Sequence, residues 1–394
     1  MNARGAARLR AGHPWVYRSD VRAEDGVAAG SIVTVVDPRG KPLGTALYSS
    51  SSQIAIRAIT SEQLAGDQWP ATVRQRIREA ITFREQVVRD SNAYRVIFSE
   101  ADFLPGLIVD RYGELLTVQI LTQAMDAQPV REAIVESLAE GLEPAAIFER
   151  VEPRIRELEN LPPRQDSMVW SRAGSAVASQ TEFLMNGLRF QFDAAAGQKT
   201  GAFLDQRENY AAAERHASGR ALDVFTYQGG FALHLNRTCS SVTAVDVSRP
   251  ALETAEKNWE CNREAFNGRE IEWMEANAFD LLRDYSDAGE QYDTIVLDPP
   301  AFAKGKSNVA TATRGYKELN LRALKMLKPG GVLVSCSCSF HVSEADFLEL
   351  LGTAAADAHR AVRILEKRTQ SPDHPILLNV PETYYLKCII CQVK

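Results

Sequence analysis

The chain has 394 residues, 45% hydrophobic and 24% charged, with a formal net charge of −6. At roughly 100–200 residues per domain, two or three domains are expected, and the acidic balance argues against bulk coating of nucleic acid. No apolar run approaches the ~20 residues of a membrane span, and the basic stretch Met1 to Arg10 lacks a secretory apolar core, so a cytoplasmic protein is expected.

Residues 1–68 hold short alternating apolar runs broken by Gly and Pro, such as Ser31-Ile32-Val33-Thr34-Val35-Val36 and Gln53-Ile54-Ala55-Ile56-Arg57-Ala58-Ile59. They predict the strands of a small barrel. Arg4, Arg8, Arg10, Arg18 and Arg22 face a single acid, Asp20, in the first 22 residues. Beside them Gly12-His13-Pro14-Trp15-Val16-Tyr17 offers an aromatic group, so Arg8, Arg10, His13 and Trp15 are candidates for RNA contact.

From Pro70 the apolar positions Val73, Ile77, Ala80, Ile81, Val87 and Val88 make a helical stripe, decorated by Arg74, Arg76, Arg78 and Arg84. Residues 107–113 and 115–120 predict a hairpin around a Gly turn, followed by a helix over 129–140 and a polar, proline-bearing stretch over 152–166. Residues 69–180 thus form a middle α+β domain. RNA affinity in an acidic chain requires arginines on one face, and segments 4–22 and 74–84 are the candidates.

Beyond residue 181 strands alternate with helices. Strands are predicted at 220–225, 242–246, 271–275, 293–298, 331–336 and 384–392, with helices that include 250–261 and 316–327. This alternation implies right-handed crossovers and a mainly parallel, doubly wound α/β sheet over 181–394. Ligands of such sheets bind at the carboxyl ends of the strands.

Several motifs fall at those ends. Gly197-Gln198-Lys199-Thr200-Gly201 leads into Leu204-Asp205-Gln206-Arg207, where Lys199 and Arg207 are cations for a phosphate or carboxylate. Phe225-Thr226-Tyr227-Gln228-Gly229-Gly230 follows a strand and opens a helix, and its glycines permit close backbone approach to a ligand. The next strand ends in Asp246, 23 residues after Asp223, placed to accept ribose hydroxyls, with Ser248 just beyond. No phosphate-cradling loop accompanies it, which favours S-adenosylmethionine over NAD. Asn277, after the third strand, is placed to hold the adenine edge.

Asp298-Pro299-Pro300-Ala301-Phe302 ends the fourth strand, and Ser337-Cys338-Ser339 ends the fifth. Asp-Pro-Pro followed at once by an aromatic suits methylation of an exocyclic amine, but Ala301 intervenes and amine methylation needs no thiol. Carbon 5 of a pyrimidine is a poor nucleophile until a thiolate adds to carbon 6. Cys338 alone reads as a buried core cysteine; beside Asp298 it reads as the attacking thiol. Asp298 would then carry or share a proton with ring N3. Cys336 lies deeper on the same face. The six cysteines do not look like a disulfide framework, and Cys388-Ile389-Ile390-Cys391 lacks the second ligand pair of a zinc site.

Gly-His-Pro-Trp-Val-Tyr at 12–17, Phe103 to Gly113, Lys199-Thr200-Gly201, Leu204 to Arg207, Phe225 to Phe231, Asp298-Pro299-Pro300, Arg314-Gly315-Tyr316-Lys317 and Ser337-Cys338-Ser339 together resemble the bacterial large-subunit ribosomal RNA cytosine-C5 methyltransferases. The resemblance spans nearly the whole chain. It implies an N-terminal PUA barrel for RNA, a middle α+β domain and a Rossmann-like class I methyltransferase domain. It also implies that Cys338 is the nucleophile and Asp298 its partner. Lys199, Asp205, Arg207, Phe225, Thr226, Tyr227, Gly229, Gly230, Asp246, Ser248, Asn277, Asp298 and Pro299 would hold the cofactor. Lys304 and Arg314 would add RNA contacts. Pro300 stands where two-cysteine RNA methyltransferases carry their second thiol, so one cysteine would act alone.

Three departures stand out. Cys336 replaces a bulky residue, Asn277 an acid, and Ala301 a lysine. The expected activity is therefore 5-methylcytosine formation, with 23S ribosomal RNA as partner. An exocyclic-amine or uracil-C5 methyltransferase, or an inactive RNA-binding module, are the alternatives, and dimerisation stays open.

Overall fold

The computed structural model describes residues 1–22, 26–173, 178–195, 202–303, 305 and 308–394. The chain divides into two compact units. One comprises Met1–Phe183, Phe192–Gly201 and Pro372–Thr383; the other comprises Leu184–Gln191, Ala202–Ser371 and Tyr384–Lys394.

The first unit opens with a helix that the strand-only reading of residues 1–68 did not foresee, α1 (Ala3–Arg10). The Asn2 side chain caps it by accepting from the Gly5 N–H. Strands β1 (Trp15–Tyr17), β2 (Ile32–Val36), β3 (Pro42–Tyr48) and β4 (Ile54–Thr60) follow as an antiparallel sheet in the order β1-β4-β3-β2. Val16, Val35, Ala46 and Ile56 form its own small core.

Next come α2 (Trp69–Val87), β5 (Ala93–Phe98), β6 (Leu107–Tyr112), β7 (Leu115–Ile120), α3 (Gln128–Leu142), β8 (Ala146–Glu149), α4 (Pro153–Leu158) and β9 (Ser167–Ser171). The five strands pair in sequence order, and only β7 and β8 run parallel, joined by the α3 crossover. The stripe on α2 packs as its spacing predicts: Val73, Ile77, Ala80 and Ile81 enter the core. That core also takes Leu47 and Ile59 from the preceding sheet. Residues 1–68 and 69–180 therefore share buried surface.

A hairpin that the sequence reading passed over, β10 (Gln180–Met185) and β11 (Leu188–Asp193), turns at Asn186-Gly187. Both turn residues have positive φ, +53° and +77°, as a tight two-residue hairpin requires.

The second unit contains α5 (Arg207–His216), β12 (Arg220–Val224), α6 (Gly230–Leu235), β13 (Ser241–Asp246), α7 (Arg249–Cys261), β14 (Ile271–Glu275), α8 (Ala278–Ala288), β15 (Tyr292–Leu297), α9 (Val309–Met326), β16 (Leu327–Ser337), α10 (Glu344–Asp357), β17 (Val362–Arg368) and β18 (Lys387–Val393). Its sheet runs in the order β14-β13-β12-β15-β16-β18-β17. The first five strands are parallel; β18 is antiparallel to both of its neighbours. The central strands are buried on both faces, which explains their continuous apolar runs. Strand order reverses between β12 and β15, so a crevice opens where their carboxyl ends diverge.

Residues 372–383 were expected within the catalytic domain but group with the first unit. Their anchor is Asp373, whose carbonyl accepts from the buried Arg84 at 2.9 Å while its carboxylate accepts the Arg95 N–H at 2.9 Å.

Candidate active site

The turn after β12 is wound tightly. Phe225, Tyr227 and Gly229 all have positive φ (+69°, +51° and +84°), a backbone conformation that costs energy at the two non-glycine positions. Hydrogen bonds offset that cost. The Phe225 and Thr226 N–H groups both donate to the Val245 carbonyl, and Thr226 Oγ1 donates to Asp223 Oδ2 at 2.6 Å. Gly230 follows at the start of α6, where a Cβ would stand 2.5 Å from the Tyr210 ring. Phe203, Tyr210, Phe225, Tyr227, Gly230 and Asp298 line the resulting cavity.

Asp246 sits at the tip of β13 as expected. Its carboxylate accepts from the Tyr227 N–H and the Ser248 N–H, each at 2.9 Å. An ionised carboxylate has about four acceptor positions, so two remain for hydroxyl donors. Ser248 itself caps α7 through its side chain. Asn277 is used differently from the sequence reading. Its side-chain oxygen caps α8, accepting from the Phe279 and Asp280 N–H groups, so that oxygen is committed before any adenine amine arrives.

Asp205 lies in the short approach to α5, and Arg207 is the first residue of that helix. Asp205 Oδ2 accepts from Tyr385 Oη at 2.6 Å, and its carbonyl accepts from Ser371. Arg207, foreseen as a contact for a phosphate or the methionine carboxylate, is fully buried. Lys199 and Lys304 lie outside the described residues.

The thiol half is built from three strands. Asp298 follows β15 and Cys338 follows β16, and the Cys338 thiol lies 3.9 Å from the Pro299 carbonyl oxygen. Ser337 and Ser339, on either side of Cys338, are buried. Ser339 Oγ accepts from the Ala303 N–H at 3.2 Å and lies 2.9 Å from Tyr316 Oη. The flanking hydroxyls thus anchor the turn inside the protein, and the half-buried Cys338 is left at the crevice. Lys387, the cross-strand partner of Ser337 on β18, donates to the Ser339 carbonyl at 2.7 Å and the Tyr385 carbonyl at 2.9 Å.

Electrostatics sharpen this picture. Burial, reinforced by the carboxylates of Asp205 and Asp223, pushes the Asp298 carboxyl up to about 8; a hydrogen bond with the Gln206 side chain opposes it. Asp298 is therefore protonated near neutral pH. Burial also raises the Cys338 thiol, with Asp298 and Asp205 adding to the rise and Lys387 opposing it, to about 12. Asp223, buried beneath the turn, is raised to about 7, first by burial. Its Oδ1 has no hydrogen-bond partner among the described residues.

Residues 112–383 match the model of an S-adenosylmethionine-dependent methyltransferase, and residues 1–61 match a PUA-like domain. The chain is 36% identical to ribosomal RNA large subunit methyltransferase I of Photobacterium profundum, covering 98% of this chain and 96% of that protein. The enzyme of the same name from Shewanella denitrificans is 38% identical over 97% of this chain and 95% of its own length. The chain belongs to this methyltransferase family. Among solved structures, a methyltransferase complexed with SAH superposes with a TM-score of 0.82 at 17% identity, covering 99% of this chain and 98% of the other. An S-adenosylmethionine-dependent methyltransferase from Streptococcus mutans gives 0.81 at 16% identity, with the same coverage. The fold is thus that of class I methyltransferases with an N-terminal PUA-like domain.

The residues present fit the methyltransferase's cofactor, S-adenosylmethionine. Asp246 retains acceptor capacity for ribose hydroxyls, beside the cavity lined by Phe225, Tyr227 and Gly230. A larger hollow of about 820 Å³ lies between α7 and β14. It is lined by Glu253, Glu256, Glu260 and Glu270 with Lys257, Trp259 and Trp273, and by none of Asp246, Asp298 or Cys338.

The arginines expected to form an RNA face on this methyltransferase are largely engaged. Arg4 pairs with Asp20, Arg10 with Asp37 and Arg74 with Glu136, while Arg84 is buried against Asp102. Arg8 lies 2.9 Å from His13 and its guanidinium stands over the Tyr17 ring. Trp15 is half-buried: its Nε1–H donates to Glu100 at 2.9 Å, and its ring meets His13 edge-on. Arg314 is exposed on α9. Sequence reasoning gave no role to Tyr316, Gln206, Asp223 or Lys387. The first three lay within motifs it had marked; Lys387 did not.

Proposed function

We infer that this chain methylates carbon 5 of a cytosine in RNA, with large-subunit ribosomal RNA as the substrate its relatives' names point to. The observation that carries the reading is the placement of Cys338 beside the Asp298-Pro299 strand tip. A cytoplasmic site of action goes with that substrate.

The proposed chemistry follows from the two side chains. The Cys338 thiol releases its proton to solvent and the thiolate adds to carbon 6, breaking the carbon 5–carbon 6 double bond and giving carbon 5 the character of an enamine. Asp298, protonated, donates to ring N3 and neutralises charge that builds there. The cofactor, when bound, supplies the electrophilic methyl group that carbon 5 takes. A base then removes the carbon 5 proton, the carbon–sulfur bond breaks, and Cys338 leaves as thiolate. A neutral carboxyl matches cytosine, whose N3 is an acceptor; the N3–H of uracil would call for an ionised one. Against an exocyclic-amine reaction, Phe302 packs on Tyr316 and Phe279 with centroids 4.7 and 5.9 Å away, instead of following Pro300 directly. Asp246 would hold the ribose of the cofactor, with Phe225, Thr226, Tyr227, Gly229, Gly230 and Pro299 shaping its crevice. Arg8, Arg10, His13, Trp15 and Arg314 are the proposed RNA contacts.

Bisulfite sequencing of ribosomal RNA from a deletion strain beside its parent tests this. One lost methylcytosine, restored by wild-type enzyme but not by Cys338→Ala, is the expected result. An N-methylated product, or full activity of Cys338→Ala, would refute the reading.

A further inference from the structure

Lys387 is 2% exposed, a degree of burial that is costly for an ammonium group. Buried lysines normally pair with a carboxylate. Both hydrogen bonds of Lys387 go instead to carbonyl oxygens, and among the described residues no carboxylate forms an ion pair with it. One of those carbonyls belongs to Ser339, directly after Cys338, and the β16–β18 register sets Lys387 opposite Ser337, directly before it. The cation is therefore held by the residue after the thiol, Ser339, and by Tyr385, just before the strand that pairs with Ser337.

We propose that Lys387 is the built-in counter-ion of the Cys338 thiolate and a positioning residue for the Ser337-Cys338-Ser339 turn. The proposal rests on Cys338 being the nucleophile. Burial first disfavours ionisation of the thiol, and among the described residues the neighbouring acids add to it: Asp298 beyond β15 whenever it is ionised, and Asp205 before α5. Cys336 and Cys388, paired across β16 and β18, are thiols with no positive charge to offer, and Tyr316 on α9 is a neutral hydroxyl. Lys387 alone among these neighbours favours the anion; burial lowers its own ammonium to about 8, still charged at pH 7, and the thiol opposes that fall. Forming the thiolate gives the buried ammonium the negative partner it otherwise lacks. The lone cation and the reluctant thiol are two halves of one ion pair, assembled only when sulfur loses its proton.

The test is the rate of iodoacetamide alkylation of Cys338 at pH 7, read by peptide mass in full-length protein. This readout needs neither RNA nor cofactor. Cys261, half-buried at the end of α7, serves as the internal reference. Lys387→Gln, which keeps a donor but removes the charge, should slow Cys338 alkylation about tenfold, the equivalent of one pKa unit, and leave Cys261 unchanged. Lys387→Arg should recover most of the rate. Equal rates in wild type and Lys387→Gln, with cofactor affinity retained, would overturn the proposal. Failure of both Lys387→Gln and Lys387→Met to fold while Lys387→Arg folds would also overturn it, because the charge would then serve the sheet. If Cys338→Ala keeps methyl transfer while the alkylation difference stands, the assignment of the nucleophile fails and the ion pair does not.

Discussion

Tyr316 Oη lies 2.9 Å from Ser339 Oγ, and this buried contact ties the middle of α9 to the turn that carries Cys338. The hydroxyl contact holds the residue that directly follows the thiol. Tyr316→Phe keeps the ring and removes the hydrogen bond, whose net worth is about 0.5–1.5 kcal/mol. We expect a modest loss of stability, measured as a lower Tm. We also expect a fall in kcat of about tenfold with the cofactor KM unchanged, since about 1.4 kcal/mol of misplacement is enough for that factor.

A covalent adduct predicts trapping. RNA bearing 5-fluorocytidine at the target position blocks removal of the carbon 5 substituent, so the thioether to Cys338 should persist. A denaturing gel should show a slow-migrating complex with wild type and with Cys336→Ala, and none with Cys338→Ala.

The pH dependence follows from three shifted groups. Activity needs the thiolate of a group near 12 together with the acid of Asp298 and the ammonium of Lys387, both near 8. Below pH 8 the rate should climb about tenfold per unit as thiolate accumulates. Above pH 8 the Asp298 and Lys387 protons are both lost, and the profile should turn down. In Asp298→Asn only the Lys387 loss opposes the gain, so the profile should flatten above pH 8 from a lower starting rate. A stopped assay of methyl transfer across pH 6–10 reads both slopes.

The same raised carboxyl affects stability. The folded form keeps the Asp298 proton between its ordinary value, 3.8, and about 8, whereas the unfolded chain releases it. Stability from this group is therefore complete below pH 3.8 and declines as pH rises toward 8. Asp298→Asn cannot ionise, so its Tm should gain on wild type as the buffer moves from pH 5 to pH 8.5. Differential scanning fluorimetry at the two pH values checks the sign.

Gly230 supplies a steric prediction. A methyl group there would stand 2.5 Å from the Tyr210 ring, closer than packed atoms tolerate. Gly230→Ala should weaken cofactor binding about tenfold, or about 1.4 kcal/mol, by calorimetry. Pairing it with Tyr210→Leu should restore part of the loss.

The strand tips were legible because proline and small polar residues interrupt apolar runs at Asp298-Pro299-Pro300 and Ser337-Cys338-Ser339, and these breaks coincide with the ends of β15 and β16. Helix α2 was legible through its apolar spacing. What escaped depends on partners distant in sequence. Whether Arg84 faces RNA or a buried Asp102 leaves no mark on its own neighbourhood. Lys387 gains meaning only from Ser339, which lies across a strand pairing. Strand β17 was missed because, as an edge strand with exposed charged residues, it has no continuous apolar run. The Asn277 side chain was assigned to a ligand when a local rule, Asn as a helix cap, already accounted for it.

Strand β18 enters the sheet between β16 and β17, antiparallel to both. During synthesis β16 emerges about fifty residues before the partner that covers its outer edge. Until then an apolar strand offers unpaired backbone groups to any neighbouring chain. Interruption of translation before Lys387 would therefore yield more than an inactive enzyme: it would leave an adhesive edge, and aggregation is its expected fate.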